Sequence, residues 1–375
     1  MPRVNQRSDV MHPMTTKLKL ALPVMLHDET EVNAFKEAKP RIEQYLGAKD
    51  IPTEVGVFVY LAPFAITSEA RRAQIETQKT EKVPIYHVQT PIIGVHSLDF
   101  YGQDPRNAIA NGCQLEAAIE HAGNLLLHSP AAFDVDVHTG VFVYPDVKGN
   151  QPIGPGTYTL EAFAERREEI LKNTRAGFQR LERLAIDREM RLLLENEPIA
   201  SYEAGAIEGY RSPRLIYKPF GTHQILDSIS ANRTFDTAHF ASTKNVPGVF
   251  QKNDVDPASL FNMLAMDNDQ QDMWSRYNAS FCTANDYFGK APGAIHLSNF
   301  EGIGVHLAGR ELREKWGKDG TNEGTLTPAE MKSYLGFAIK RQIPVVLEVD
   351  FDIGKIGEKK FIEADNFLRH VCEDQ

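Results

Sequence analysis

The segment RTFDTAHF, residues 233–240, places two residues that can bind a metal at the end of a short strand-like run. Residues 233–237 have the length and the β-type side chains of a buried strand. Asp236 lies near the end of this run, and His239 follows three residues later. If the chain turns into a loop here, the carboxylate and the imidazole can converge above the strand end as part of a metal site. The segment therefore predicts a strand with a functional carboxyl end.

Seven more short runs with strand character are spaced along the chain. They are residues 18–25, 54–60, 91–96, 124–128, 191–195, 293–297 and 344–349. Segments with helical periodicity lie between or after them, at 31–46, 106–123, 160–185, 326–342 and 360–372. Eight strand–helix units predict an α/β protein with a single (β/α)8 TIM barrel. A doubly wound sheet is the alternative, but no G-x-G-x-x-G fingerprint follows the first run.

The domain organisation follows from the same pattern. Residues 1–16 are predicted to form a polar N-terminal tail, and residues 17–375 a TIM barrel domain. The stretch 131–158 is rich in Gly and Pro and is predicted to be a loop insertion after the fourth strand that covers the barrel mouth. Residues 241–256 and 298–325 are predicted to be two more long loops on that face.

Composition narrows the partners of the protein. The 375 residues include 41 Lys and Arg against 51 Asp and Glu, which gives a formal net charge of −10. A field of this sign repels polyanions, so nucleic acid would need a local basic patch. The three cysteines show no C-x-x-C spacing, which predicts a reducing, cytoplasmic environment and no disulfide framework. No apolar run approaches the roughly 18 residues of a membrane span.

Ionisable residues recur where six of the predicted strands end. These residues are His96, His128, Glu195, Asp236 with His239, His296 and Glu348. Strand carboxyl ends form one ring at the mouth of a barrel, and buried imidazoles and carboxylates there need a partner. Nitrogen and oxygen donors without thiolates favour Zn, Mn, Fe or Co, at one or two ions per chain. Each residue alone has a plain structural role as an alternative, but their coincidence favours a metal site. His121 and His138 are expected on helices or loops, without such a role.

The motifs around these residues resemble a known superfamily. VHSLDFYGQDP, NLLLHSP, LLLENEP, FDTAHF, AIHLSN and VVLEVD, which span residues 91–350, are similar to strand-end motifs of the xylose isomerase-like barrels, particularly the endonuclease IV branch. The resemblance implies two ligand sets. The first is His96, His128 and Glu195. The second is Glu195, Asp236, His296 and Glu348.

The resemblance is incomplete at a third ion. His239 matches a ligand of a third metal in the endonuclease branch. That branch also has an Asp-x-His pair after the seventh strand, where this chain offers Asp319 and Thr321 and no histidine. The sequence therefore predicts no complete third site.

Three functions are compatible with this pattern. The first is isomerisation or epimerisation of a sugar or polyol, in which the ion stabilises an enediolate while Glu195 and Glu348 carry the proton as the catalytic pair. The second is an endonuclease IV-like phosphoester hydrolase at apurinic or apyrimidinic sites, with two ions bridged by Glu195. The third is a metal-binding barrel without turnover. The acidic balance favours a small polar substrate, so nucleic acid is a partner only in the second case.

Overall fold

The architecture comes from a computed structural model that describes most of the chain. The described residues are 16–61, 68–90, 98–99, 105–144, 149, 156–198, 200–203, 214–221, 223–241, 292–298, 326–348 and 358–372. The predicted tail, apart from its last residue, lies outside them.

Twelve strands and seven helices are defined within these residues. The strands are β1 (Leu18–Pro23), β2 (Thr53–Tyr60), β3 (Ile85–Gln89), β4 (Asp134–Val137), β5 (Phe142–Tyr144), β6 (Thr157–Thr159), β7 (Leu192–Glu195), β8 (Ala200–Glu203), β9 (Arg214–Tyr217), β10 (Arg233–Asp236), β11 (Ala294–Leu297) and β12 (Pro344–Leu347). The helices are α1 (Glu29–Gly47), α2 (Ser68–Glu81), α3 (Pro105–Leu126), α4 (Leu160–Ile186), α5 (His223–Ile229), α6 (Pro328–Arg341) and α7 (Glu358–Cys372).

Eight of the strands close into one parallel barrel. Their order around it is β1, β12, β11, β10, β7, β4, β3 and β2, and every neighbouring pair is parallel. The predicted (β/α)8 barrel is therefore confirmed. Because all eight strands point the same way, their carboxyl ends meet at one mouth. Six of the eight predicted strand segments overlap the strands of this barrel.

Two predicted strands do not match strands of the barrel. The third barrel strand is β3, which ends at Gln89, and the predicted run 91–96 lies outside the described residues. Residues 124–128 do not form the fourth strand, because they are the end of α3 and the turn after it, and β4 begins at Asp134. A short apolar run such as NLLLH cannot be assigned to a strand or a helix from periodicity alone. In β3 and β4 the polar residues point into the barrel, which hides the usual apolar signal of a parallel strand.

A second, four-stranded sheet is built from two loops at the barrel's carboxyl end. Its order is β6, β5, β9, β8, with β5 and β6 parallel and the other pairs antiparallel. The predicted insertion at 131–158 therefore starts too early, since it contains β4, and its later part supplies β5 and β6. That this region covers the mouth stays a prediction.

The main apolar core lies between the barrel wall and the helices. Side chains such as Val135, Leu192, Leu194 and Phe235 are completely buried there. The helical segment predicted at 326–342 contains α6, which begins after Thr327, and Thr327 caps it in a reciprocal capping box with Glu330. Among the described residues, no helix is both long and apolar enough to cross a membrane.

Two helical glycines give opposite predictions for stability. A Cβ at Gly177 in α4 would overlap the carbonyl oxygen of Leu98, whereas a Cβ at Gly336 in α6 would meet nothing within 4 Å. We expect Gly336→Ala to stabilise the protein by about 0.5–1 kcal/mol, since alanine is the better helix former. Gly177→Ala should destabilise it by about 1–3 kcal/mol, because backbone atoms must move apart.

Urea unfolding of both variants and the unchanged protein tests this pair. Equal stabilisation by both substitutions would show that α4 does not approach Leu98 closely.

Candidate metal centre

Four of the predicted ligands meet at the barrel mouth. One ligand atom from each lies within 4.8 Å of the others, and we call these residues the quartet: Glu195, Asp236, His296 and Glu348. The first three lie at or next to the ends of β7, β10 and β11, and Glu348 follows β12 directly. Nδ1 of His296 is 3.0 Å from Oε1 of Glu348 and 3.4 Å from Oε1 of Glu195. The position of each residue at a strand end is therefore what brings the four together.

Side-chain hydrogen bonds hold these strand ends in place. The amide of Asn196 donates to the carbonyl oxygen of Asp236 at 3.0 Å and accepts from its backbone N–H at 2.8 Å, which joins β7 to β10. Thr237 makes the same kind of reciprocal pair with the backbone of Ser298 beyond β11, at 2.7 and 3.0 Å. These side-chain hydrogen bonds therefore add to backbone pairing in fixing the strand ends that carry the quartet.

His239 lies beside the quartet. It belongs to the helical turn after β10, and its backbone N–H donates to Oδ1 of Asp236 at 2.9 Å. Its Nδ1 is 2.7 Å from the carbonyl oxygen of Asn196, so this nitrogen carries the hydrogen of the bond. Nδ1 is also 3.1 Å from Oδ2 of Asp236. The ring nitrogen nearest the quartet is therefore a donor, as expected of a residue that orients ligands.

Strands β3 and β4 add residues that the sequence interpretation missed. Gln89 donates to Oε2 of Glu195 at 2.9 Å, and Nε2 of His138 lies 3.0 Å from the same oxygen. Asp136, His138 and Glu195 form a second cluster of potential metal ligands, next to the quartet and sharing Glu195 with it. The expectation that His138 has no role at the site is wrong, because β4 ends at Val137 and delivers it to the mouth. The alternation D-x-H at 136–138 was the available signal.

The other two predicted histidines have different outcomes. His96 lies outside the described residues, whereas His128 is placed away from the site. His128 sits in the turn after α3, and the next residue, Ser129, approaches the backbone N–H of Ile85 at the start of β3. This is the amino end of the barrel, opposite the mouth. His121 behaves as expected, since it is buried on α3 and bonded to Gln74.

A third cluster lies against the quartet in the barrel interior. Nε2 of His87 and Nε2 of His296 are each 3.8 Å from Oδ2 of Asp136, and the two rings meet edge to face at 5.0 Å. All three residues are completely buried. Among the described residues, neither ring nitrogen of His87 makes a hydrogen bond, and neither ring nitrogen of His296 makes a well-aligned one, although Nδ1 of His296 lies close to Glu348.

Burial and mutual repulsion disfavour charge on two of the carboxylates. Burial raises the pKa of Asp236 well above its usual value, and the charges of Glu348 and Glu195 raise it further. Burial and the Glu195 charge do the same to the pKa of Asp136. Without a cation, the site therefore favours protons on these two aspartates.

At the neighbouring histidines and glutamates, the pKa shifts favour the charged form of the side chain. Burial alone would lower the pKa of His138 and of His296, but adjacent carboxylates outweigh it and raise both well above the usual value. Burial alone would raise the pKa of Glu195 and of Glu197. The charges of His138 and His296 outweigh that effect and lower the pKa of Glu195, and the hydrogen bond and charge of His138 lower the pKa of Glu197. In the site without a cation, protonated histidines therefore pair with ionised glutamates, and their positive charge offsets the buried negative charge.

The residues present fit a divalent cation. Oε1 of Glu195, Oδ2 of Asp236 and Nδ1 of His296 are buried members of the quartet, and none of them makes a well-aligned hydrogen bond to another described residue, although charged neighbours lie close. Leaving such atoms unsatisfied is costly, and a cation would satisfy all three together. The donor set contains nitrogen and oxygen only, which suits Zn, Mn, Fe or Co.

Comparison with known proteins supports the fold. No family model and no curated protein matches the chain. A solved D-tagatose 3-epimerase-like protein shares 14% identity at a TM-score of 0.50, covering 94% of this chain and 97% of that one. A putative xylose isomerase from Rhodospirillum rubrum shares 14% identity at a TM-score of 0.48, with coverage of 94% and 97%. A D-psicose 3-epimerase shares 12% identity at a TM-score of 0.43, with coverage of 94% and 99%. The likeness to the first of these structures shows that the chain shares its fold.

The shifted pKa values predict how the metal-free protein responds to pH. The raised pKa values of His138 and His296 give stability that is complete below about pH 6.5 and is lost as pH rises through their folded pKa values. The raised pKa values of Asp136 and Asp236 act in the same direction. The two lowered glutamates contribute fully above about pH 4.5 and do not change further.

We therefore expect the melting temperature of chelator-treated protein to fall between pH 6 and pH 9. Added Zn or Mn should raise it more at pH 8 than at pH 6, because ion binding requires deprotonated ligands. Differential scanning calorimetry at matched ionic strength measures both effects. A melting temperature that rises steadily to pH 9 without metal would contradict the electrostatics described here.

Proposed function

We propose that this chain is a divalent-metal-dependent isomerase or epimerase that acts on a sugar or a sugar-like polyol. The observation that carries the proposal is the convergence of the buried quartet on one point at the mouth of the barrel. Three of its residues are fully buried, whereas the side chain of Glu348 is 11% exposed. The site therefore has one carboxylate at its open side, where a bound substrate can reach it.

The ion supplies Lewis-acid stabilisation for adjacent oxygens of a bound substrate. The chain's own residues supply the proton chemistry and the orientation. Glu348 is the candidate base at the substrate carbon, and Glu195 is the second carboxylate of the pair. Gln89 and His138 fix Oε2 of Glu195, so that Oε1 faces the quartet.

The substrate class rests on chemistry and on charge. Carboxylates dominate the described mouth, and the chain is acidic, which favours a neutral polyol over a polyanion. The solved barrel with a TM-score of 0.50 is named as a sugar epimerase-like protein, and this name agrees with the proposed class. The cytoplasmic location expected from the cysteines remains a prediction.

Exchange of a carbon-bound hydrogen tests the proposed reaction. Metal-loaded protein should exchange the hydrogen next to the carbonyl of a ketose with solvent deuterium, and NMR of a ketose panel in D2O would detect the exchange. Glu348→Gln should reduce this exchange at least 100-fold, as expected when a general base is removed.

The metal content of Glu348→Gln must be measured in parallel, since the residue is also a candidate ligand. Exchange that persists in a metal-loaded Glu348→Gln protein would rule out Glu348 as the base. Absence of exchange with every ketose, in metal-loaded unchanged protein, would count against the reaction class.

A second candidate function is an endonuclease IV-like phosphoester hydrolase. The cluster Asp136, His138 and Glu195 favours it, because Glu195 could bridge two ions through its two oxygens, as two-metal hydrolysis requires. The acidic charge of the chain opposes it, since DNA needs a positive groove.

Nicking of a duplex with one abasic site distinguishes the two functions. We expect no nicking above the metal-only background. Rapid nicking that is lost in His138→Ala would favour the hydrolase. The nicking rate of metal-loaded Glu348→Asp serves as a comparison.

A further inference from the structure

Glu197 differs from Glu195, although both project from the end of β7 two residues apart. Both of its oxygens are already used within the protein. Oε1 is 3.0 Å from Nδ1 of His138, and Oε2 accepts the hydroxyl of Thr139 at 2.7 Å. The backbone N–H of Gly140 also approaches Oε1 at 3.5 Å. Glu197 therefore contacts three successive residues after β4, and each of its two oxygens already has a partner within the protein.

This bond decides which nitrogen of His138 faces the site. Because a carboxylate only accepts hydrogen bonds, Nδ1 of His138 must carry the hydrogen. Nε2 is then the nitrogen presented to the mouth, where it lies 3.0 Å from Oε2 of Glu195 and 3.2 Å from Nε2 of Gln89. Histidines that bind metals commonly donate their other ring N–H to a carboxylate, which fixes both tautomer and orientation.

Two neighbours already lie close to this nitrogen. The amide nitrogen of Gln89 has two hydrogens, and it donates to Oε2 of Glu195 at 2.9 Å while it lies 3.2 Å from Nε2 of His138. Asp136 is close enough to His138 and Glu195 to share one cation with them, and its Oδ1 lacks a hydrogen-bond partner among the described residues.

We propose that Glu197 is a positioning residue that holds His138 with Nε2 directed at a second cation position, bounded by Asp136, His138 and Glu195. The proposal rests on the proposed metal dependence of the quartet and adds a role for a residue that touches neither ion nor substrate. It also explains why Glu197 is buried in the protein among donors from the loop after β4.

Metal titration of chelator-treated protein tests the role of Glu197. Cobalt is the probe, and binding is followed by isothermal titration calorimetry, with elemental analysis after dialysis. The unchanged protein should bind two ions of different affinity. Glu197→Ala should weaken the second ion about 10–100-fold, the usual effect of losing a carboxylate behind a metal-binding histidine, and leave the first unchanged. His138→Ala should abolish the second ion.

Two further variants separate positioning from general destabilisation. Glu197→Gln keeps an oxygen that can accept from Nδ1 of His138, so it should restore most of the second-ion affinity. Glu43→Ala removes a carboxylate that accepts the backbone N–H of Val55 outside the mouth, and it should leave both ions unaffected even if the protein melts earlier. Circular dichroism of each variant establishes that it is folded.

The outcomes are distinct for the two proposals. Unchanged second-ion affinity in folded Glu197→Ala would overturn the positioning role. A single ion in the unchanged protein would overturn the second cation position while leaving the quartet intact. No ion at all would remove the basis of the proposed function. If Glu197→Ala does not fold, the second-ion affinity of Glu197→Gln decides the question. An affinity as low as that of His138→Ala would likewise overturn the role, and a retained affinity would support it.

Discussion

Burial of several carboxylates in one small volume is the constraint on which the rest of the site depends. They are Asp136, Glu195, Glu197, Asp236 and Glu348, and most are inaccessible to water. A buried carboxylate is tolerated only when hydrogen bonds or positive charge compensate for lost hydration. Glu197 is compensated by its three donors, whereas the quartet has buried atoms that make no hydrogen bond within the part of the chain that the structure describes. A divalent ion is the simplest partner that satisfies those atoms together.

The barrel brings these carboxylates together at one end of the protein. Parallel strands end at one ring, so residues far apart in sequence meet without a long loop. The reciprocal bonds of Asn196 and Thr237 then fix neighbouring strand ends, where backbone pairing stops. The ring of Phe58, which packs with Val346 in a small buried apolar cluster, lies 5.8 Å from the ring of His87 and 5.7 Å from that of His296. Apolar packing therefore borders the polar cluster on this side.

The sequence predicts the barrel and the quartet because those strands follow the ordinary pattern. β7, β10, β11 and β12 are short, mostly apolar runs with one carboxylate or histidine at the carboxyl end or directly next to it. The sequence does not reveal β3 and β4, because their polar residues point into the barrel and alternate with apolar residues that face the helices. These polar residues are His87, Gln89, Asp136 and, directly after β4, His138. Such an alternation of polar and apolar residues is typical of an exposed strand. The apolar end of α3 is therefore interpreted as the fourth strand, and His128 is predicted as the ligand instead of His138.

The central claim is that the quartet binds a divalent ion. Anomalous scattering from crystals grown with Mn or Zn tests it most directly, because each edge identifies its element and locates it. The account predicts a strong peak about 2.0–2.3 Å from the ligand atoms of Glu195, Asp236, His296 and Glu348. Crystals that contain saturating metal and show no peak among these four residues would contradict it.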